Sequence, residues 1–197
     1  VTYPEFEADV RAMVTEGCDS VRDVFVTDRI PQQETLDFSA LPGMSQNETD
    51  VVLLQHSSGS TGLQKGVALS HRAIFNHLDA YGESIRLTRD DVIVSWLPLY
   101  HDMGLIACFL MPILRGVHVV QMSPFDWVRA PYRLLQAISN HRGTLTWLPN
   151  FAYNFCAQKI RDRDMEGVDL SSWRMSVNCT EPVRFKSHEM FYERFNA

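Results

Sequence analysis

An excess of positive charge is missing from this sequence. Lys and Arg number 18 against 24 Asp and Glu, for a formal net charge of −6. The basic stripe expected of a nucleic-acid-binding surface is therefore absent. No block of like charge, low-complexity run or internal repeat occurs. Cysteine is scarce as well. Cys18, Cys108, Cys156 and Cys179 stand far apart and form no C-x-x-C pair. That spacing argues against a zinc site or a disulfide framework, and for reduced, mostly buried thiols. Long apolar runs are lacking too: the most apolar stretch, Leu105 to Leu114, has about ten residues and contains Pro112. A bilayer span needs roughly 20, so no transmembrane segment is expected. The chain does not open with a basic region followed by an apolar one, so no signal peptide is expected and the cytoplasm is the default compartment.

What is present suffices for a real core. With 197 residues, 45% hydrophobic and 21% charged, the chain has the size of one globular domain or of a piece of a larger one. Its most informative stretch is Gln55-His56-Ser57-Ser58-Gly59-Ser60-Thr61-Gly62-Leu63-Gln64-Lys65-Gly66, which follows the apolar run Val51-Val52-Leu53-Leu54. The run reads as a buried strand that ends in a polar loop. Glycines let such a loop turn backbone N–H groups and hydroxyls toward an anion, and Lys65 adds a positive charge at its far end. A nucleoside triphosphate is the natural guest. A flexible surface turn is the plain alternative.

Periodicity organises the rest. Pro4 to Glu16 carries Phe6, Val10, Met13 and Val14 at helical spacing, and Val24–Val26 reads as a short strand. Asp28 to Thr49, broken by Pro31, Pro42 and Gly43, reads as a surface connection. Gly66–Leu69 is a second strand, and Ser70 an N-cap for a helix to about Arg86 with Ile74, Phe75 and Leu78 inward. Strands at 91–95, 117–122, 144–148 and 174–178 then alternate with helices at 104–115, 130–141, 150–161 and 184–195. The fold class is therefore α/β, with a mostly parallel sheet flanked by helices. Ligands of such sheets sit beyond the carboxyl ends of the strands.

Three strand ends carry notable residues. After Ser95 come Trp96-Leu97-Pro98-Leu99-Tyr100-His101-Asp102-Met103-Gly104. His101 and Asp102 suit either a neutral imidazole held beside a substrate or a cap, with Asp102 as N-cap and His101 packed on Tyr100. After Leu148 come Pro149-Asn150-Phe151-Ala152-Tyr153, with Asn150 as N-cap and an aromatic face that suits an apolar tunnel or plain core. After Asn178 come Cys179-Thr180-Glu181-Pro182, which suit a helix start or a surface facing a nucleobase.

Together these loops resemble the adenylate-forming ligases, the superfamily of acyl-CoA synthetases, luciferases and peptide-synthetase adenylation domains. The signature phosphate loop of that family is matched by Ser57 to Gly66 at about nine positions in order, with Gln64 where the family has proline. Ser95 to Ile106, Met122-Ser123-Pro124 and Pro149 to Tyr153 resemble the wording found in fatty acyl-AMP ligases. Asn178 to Val183 resembles that subfamily's Asn-Gly-Ala-Glu-Pro-Val, with Cys179 and Thr180 in place of Gly and Ala. The resemblance runs from about Asp50 onward, and more weakly over Val1 to Pro31. The family's Tyr-Gly-x-Thr-Glu motif, its ribose-binding aspartate and its C-terminal domain have no counterpart here. The chain thus looks like part of the large N-terminal domain of an adenylate-forming enzyme.

The resemblance implies ATP-dependent activation of a fatty acid to an acyl adenylate with release of pyrophosphate. The acyl group then passes to the phosphopantetheine thiol of an acyl carrier protein, or alternatively to coenzyme A. It makes Lys65 and His101 the catalytic candidates. Ser57, Ser58, Gly59, Ser60, Thr61, Gly62 and Lys65 would hold the phosphates, and Cys179, Thr180 and Glu181 would meet the adenine. His101, Asn150, Phe151 and Tyr153 would border the acyl group. ATP and Mg2+ are implied, with the magnesium ligand expected beyond this chain. A P-loop NTPase would need Gly directly before its lysine and Ser or Thr directly after it; Gln64 and Gly66 occupy those places. The non-catalytic alternative is a domain that binds only nucleotide or acyl chain.

Overall fold

The computed structural model describes residues 2–17, 21, 23–30, 37–56 and 65–196. Its centre is a four-stranded parallel sheet built from β3 (Val92–Ser95), β4 (His118–Gln121), β5 (Leu145–Leu148) and β6 (Met175–Asn178), in the order β4-β3-β5-β6. The chain moves outward from β3 to β4, then crosses back past β3 to β5 and β6. The point where the winding reverses lies between β3 and β5, the usual place for a ligand crevice in such sheets. β5 is buried along its whole length, as its continuous apolar run demands when helices cover both faces.

The first helix forms as expected, as a 3-10 turn (Pro4–Phe6) leading into α1 (Glu7–Gly17), but Phe6 and Met13 are exposed. Val24–Val26 is not a strand: Val26 makes a single parallel bridge to Thr2, too short a pairing to build a ladder. The expected buried strand is present as β1 (Val51–His56), but it pairs antiparallel with β2 (Gly66–Ser70) in a separate two-stranded sheet. Only alternate residues of such a hairpin can face the core. Leu53 and Leu69 do so, while Val52 and Leu54 point outward. Ser70 caps α2 (His71–Ser84) by accepting a bond from the Ala73 N–H. Ile74 and Leu78 are buried as expected, whereas Phe75 is 41% exposed, one position off that stripe.

The apolar helix after β3 departs from regular α geometry. Met103–Leu110 is a π-helix, closed by Met111 N–H bonding back to the Ile106 carbonyl, and it continues as α3 (Met111–Arg115). Pro112 has no N–H to give to the carbonyl of Cys108. Gln121 of β4 donates to that carbonyl instead, at 3.0 Å. A helix absent from the sequence reading, α4 (Pro124–Arg129), precedes α5 (Tyr132–His141). The Ser123 side chain caps it and Pro124 preorganises its first turn. α6 (Asn150–Lys159) and α7 (Phe185–Phe195) complete the cover. Asp91, 4% exposed, knots the amino edge of the sheet. It accepts from Arg174 twice at 2.9 Å, from Thr144 Oγ1 at 2.7 Å and from Thr88 N–H at 2.8 Å.

Candidate active site at the carboxyl edge of the sheet

The phosphate-loop residues Ser57, Ser58, Gly59, Ser60, Thr61 and Gly62 lie outside the described residues. What frames them is described. His56, the last residue of β1, pairs with Gly66, the first of β2, and exposed Lys65 directly precedes that pair. The register therefore puts Lys65 at the loop end of the hairpin. One residue inward, Gln55 lines a cavity of about 580 Å³. The same cavity is lined by Asp102 and Met103 beyond β3 and by Cys179 and Thr180 beyond β6. Three loops that are distant in sequence thus meet at one mouth. Its walls are apolar and come from Ala73 and Ile74 of α2 and from Ile106 and Ala107 of the π-helix.

His101 sits at the head of that helix, with Nδ1 2.8 Å from Asp102 Oδ1 and a side chain 46% exposed. Asp102 is the N-cap, accepting the Met103 N–H at 2.8 Å. It therefore both caps the helix and restrains the ring. Tyr100 is 91% exposed and gives His101 no cover. The loop is pinned by close packing: a Cβ on Gly104 would run into the Pro98 carbonyl. Cys179 packs its sulfur on that of Met103, and burial pushes its thiol pKa up. Thr180 stands in the left-handed region at φ 81°, a rare conformation for a β-branched residue. Glu181 accepts the Phe151 N–H at 2.6 Å and so ties this loop to the start of α6.

The aromatic segment after β5 lies apart from the cavity wall. Asn150 is 4% exposed, and Pro149 rather than Asn150 is the N-cap. The Asn150 amide donates to Ser187 Oγ at 3.0 Å and accepts from Arg184 N–H at 2.9 Å and Asn178 Nδ2 at 3.3 Å. Tyr153 is 2% exposed, shares a 2.7 Å hydrogen bond with Ser176 and packs on His188. Burial raises its phenol pKa. Phe151 is half-exposed and meets the edges of Trp96 and Trp127, which stack at 3.8 Å.

Sequence reasoning missed the wall that α2 supplies. Ala73, Ile74, His77 and Tyr81 recur along one helix face, a pattern indistinguishable from ordinary core packing. Among the described residues no group of three or more His, Cys, Asp or Glu could hold a metal ion. These residues do not fit a magnesium site. Among them, no helix is long and apolar enough to cross a membrane.

A family model described as "AMP-binding enzyme" matches residues 5–197. The chain belongs to that family. Among similar proteins, the medium-chain-fatty-acid–acyl-carrier-protein ligase TtuA of Teredinibacter turnerae is 30% identical over 194 residues, covering 98% of this chain and 30% of the relative. The ligase JamA of Moorena producens, of the same description, is 37% identical over 149 residues, covering 76% of this chain and 25% of its own length. A fatty acyl-adenylate ligase from L. pneumophila, solved with acyl adenylate and pyrophosphate, superposes with TM-score 0.72 at 42% identity. That match covers 76% of this chain and 26% of the other. The AMP-binding chain thus spans about a quarter to a third of the length of these relatives.

Proposed function

We propose that this chain is part of the N-terminal AMP-binding domain of a fatty acyl-AMP ligase, with ATP and a fatty acid as substrates. The observation that carries the reading is the shared cavity mouth. Gln55 of the hairpin that Lys65 borders, Asp102 next to His101, and Cys179 with Thr180 line one apolar cavity, while Lys65 and His101 themselves stand off its lining. A polar rim over an apolar slot suits a molecule with a charged head and a hydrocarbon tail. Each methylene buried there contributes about 0.8 kcal/mol, so the tail supplies affinity while the rim handles the reacting atoms. The names of TtuA and JamA, and the ligands of the L. pneumophila enzyme, support the same class.

In this reading a carboxylate oxygen attacks the α-phosphorus of ATP, the bond from that phosphorus to the bridging oxygen breaks, and pyrophosphate leaves. Lys65, with the hydroxyls of Ser57, Ser58, Ser60 and Thr61, offsets the charge on the departing phosphates. His101, restrained by Asp102, borders the carboxylate and the α-phosphate. Cys179, Thr180 and Glu181 face the adenine. A bound Mg2+ would screen the phosphate charge, with its ligand expected beyond this chain. Asn150 and Tyr153 hold the β6–α7 region in place behind the site. The acyl group then passes to the thiol of an acyl carrier protein, in a cytoplasmic setting.

ATP–pyrophosphate exchange in the complete polypeptide tests this. We expect exchange to depend on added fatty acid and to fall in Lys65→Ala by at least about tenfold, the effect of losing one charged phosphate contact. Unchanged exchange in that variant sinks the assignment of Lys65, and exchange indifferent to fatty acid sinks the substrate class. Carrier protein and coenzyme A, supplied in turn, decide the acceptor.

A further inference from the structure

The cavity is walled by two helices. α2 starts beside the carboxyl-edge loops, where Leu69 of β2 lines the cavity together with Asp102 and Thr180, and leads to the amino edge of the parallel sheet, where β3 begins. The π-helix Met103–Leu110 likewise leaves the carboxyl edge of β3 and descends toward the start of β4. The two helices therefore run downward side by side, and the slot lies between them. From Ala73 to Tyr81 the α2 wall drops by about 12 Å at the usual rise per residue. Tyr81 is the last α2 residue on the lining. Its position is fixed from behind: the Trp147 indole N–H donates to the Tyr81 hydroxyl at 2.5 Å, and the rings meet edge to face. Trp147 is wholly buried in β5. A ring anchored to the central sheet cannot swing aside as a surface side chain would.

We infer that Tyr81 is the end-stop that sets acyl chain length in this cavity, an inference that rests on the slot being the acyl site. A chain that reaches the ring gains no further burial from added carbons, because the next methylene would have to displace an anchored aromatic side chain. Below that length, each two-carbon step should raise kcat/KM roughly tenfold, the value of two buried methylenes. Beyond it the gain should stop and reverse. His77, one turn above Tyr81 and exposed to solvent, gives access to the same slot from a position whose replacement leaves the core untouched.

The test is fatty-acid-dependent ATP–pyrophosphate exchange in the complete polypeptide, across a series of saturated fatty acids. Tyr81→Ala should move the optimum to longer chains, and His77→Trp, which fills the turn above Tyr81, should move it to shorter ones. Tyr81→Phe keeps the ring but loses the bond to Trp147, so it should blunt the cut-off and let longer chains through, less than Tyr81→Ala does. If Tyr81→Ala does not fold, Tyr81→Phe decides the end-stop, and His77→Trp tests only whether the slot takes the acyl chain. An unchanged optimum in the folded variants, with exchange intact, overturns the end-stop. Wild-type exchange that no fatty acid stimulates overturns the acyl-site reading on which it rests, so the two failures are distinguishable.

Discussion

Replacing Arg174 by Ala should destabilise the chain by about 3 kcal/mol, because it leaves a buried carboxylate without its cation. Arg174 donates twice to Asp91 at 2.9 Å, and also to the carbonyls of Ile85 at 3.0 Å and Arg86 at 3.1 Å. Asp91 is 4% exposed with Arg174 in place, and without it the carboxylate keeps only Thr144 and Thr88 as its protein donors among the described residues. Breaking a buried pair costs about 3–5 kcal/mol. The Arg174 side chain is 34% exposed, which places the effect at the low end. The pH dependence carries a second signature. Burial pushes the Asp91 pKa up, but the bonds from Arg174, Thr144 and Thr88 outweigh it and hold the carboxyl well below its ordinary value. A depressed native pKa stabilises the fold above the unfolded value of about 3.9, and that stability is lost as pH falls through the native pKa. In Arg174→Ala the burial effect is less opposed, the native pKa rises, and acid should weaken the variant less steeply. Urea unfolding at about pH 7 and along a series down to about pH 3 measures both. A neutral-pH loss under about 1 kcal/mol, or an acid slope equal to that of the parent chain, would refute the account of the knot.

Gly104→Ala should displace the Pro98–Asp102 loop, since its methyl group meets the Pro98 carbonyl. A loss of about 1–3 kcal/mol is the usual cost of such overpacking. Loss of exchange activity in a variant that still folds would report the displaced His101, and wild-type values for both would refute the clash. The thiols of Cys108 and Cys156 are pushed up to about 12 by burial. At pH 8 only ~10⁻⁴ of each would be thiolate, so iodoacetamide should leave both unlabelled until urea unfolds the chain. Labelling of either in the native state would show that the core opens.

Most of the sheet was legible because its strands are short apolar runs with punctuated ends, and burial on both faces writes itself into composition at Val92–Ser95 and Leu145–Leu148. Three features were not. The π-helix depends on where the Cys108 carbonyl finds its donor, and Gln121 lies on another strand. α4 carries a sound N-terminal signal in Ser123-Pro124, but its six residues are too few to show a helical period. The exposure of Val52 and Leu54 could not be read, since an apolar run looks the same whether one face is covered or two. Beyond the strand ends, Asp102, Cys179 and Thr180 do line one cavity, as the strand-end rule leads one to expect, while His101 stands off its lining. The α2 wall was hidden, as ligand-lining and core-lining apolar residues share one spacing.

The residues that sequence reasoning chose for contact divide by layer, and the division has a physical cause. A loop that faces a charged substrate cannot use its own polar groups for self-support without losing them as ligands. Support must come from behind. Thr180 holds a left-handed φ of 81° that costs about 1–3 kcal/mol for an ordinary side chain. Such a conformation persists only where neighbours over-determine it. Glu181 on the Phe151 N–H and Asn150 on Arg184, Asn178 and Ser187 do that from α6. Tyr153 adds its bond to Ser176 on β6. Asn150 and Tyr153 are buried and spend their polar atoms on partners within the fold, off the cavity lining. Polarity at a strand end therefore does not by itself say whether a side chain faces the cavity or braces the loops around it; the hydrogen-bond inventory separates the two.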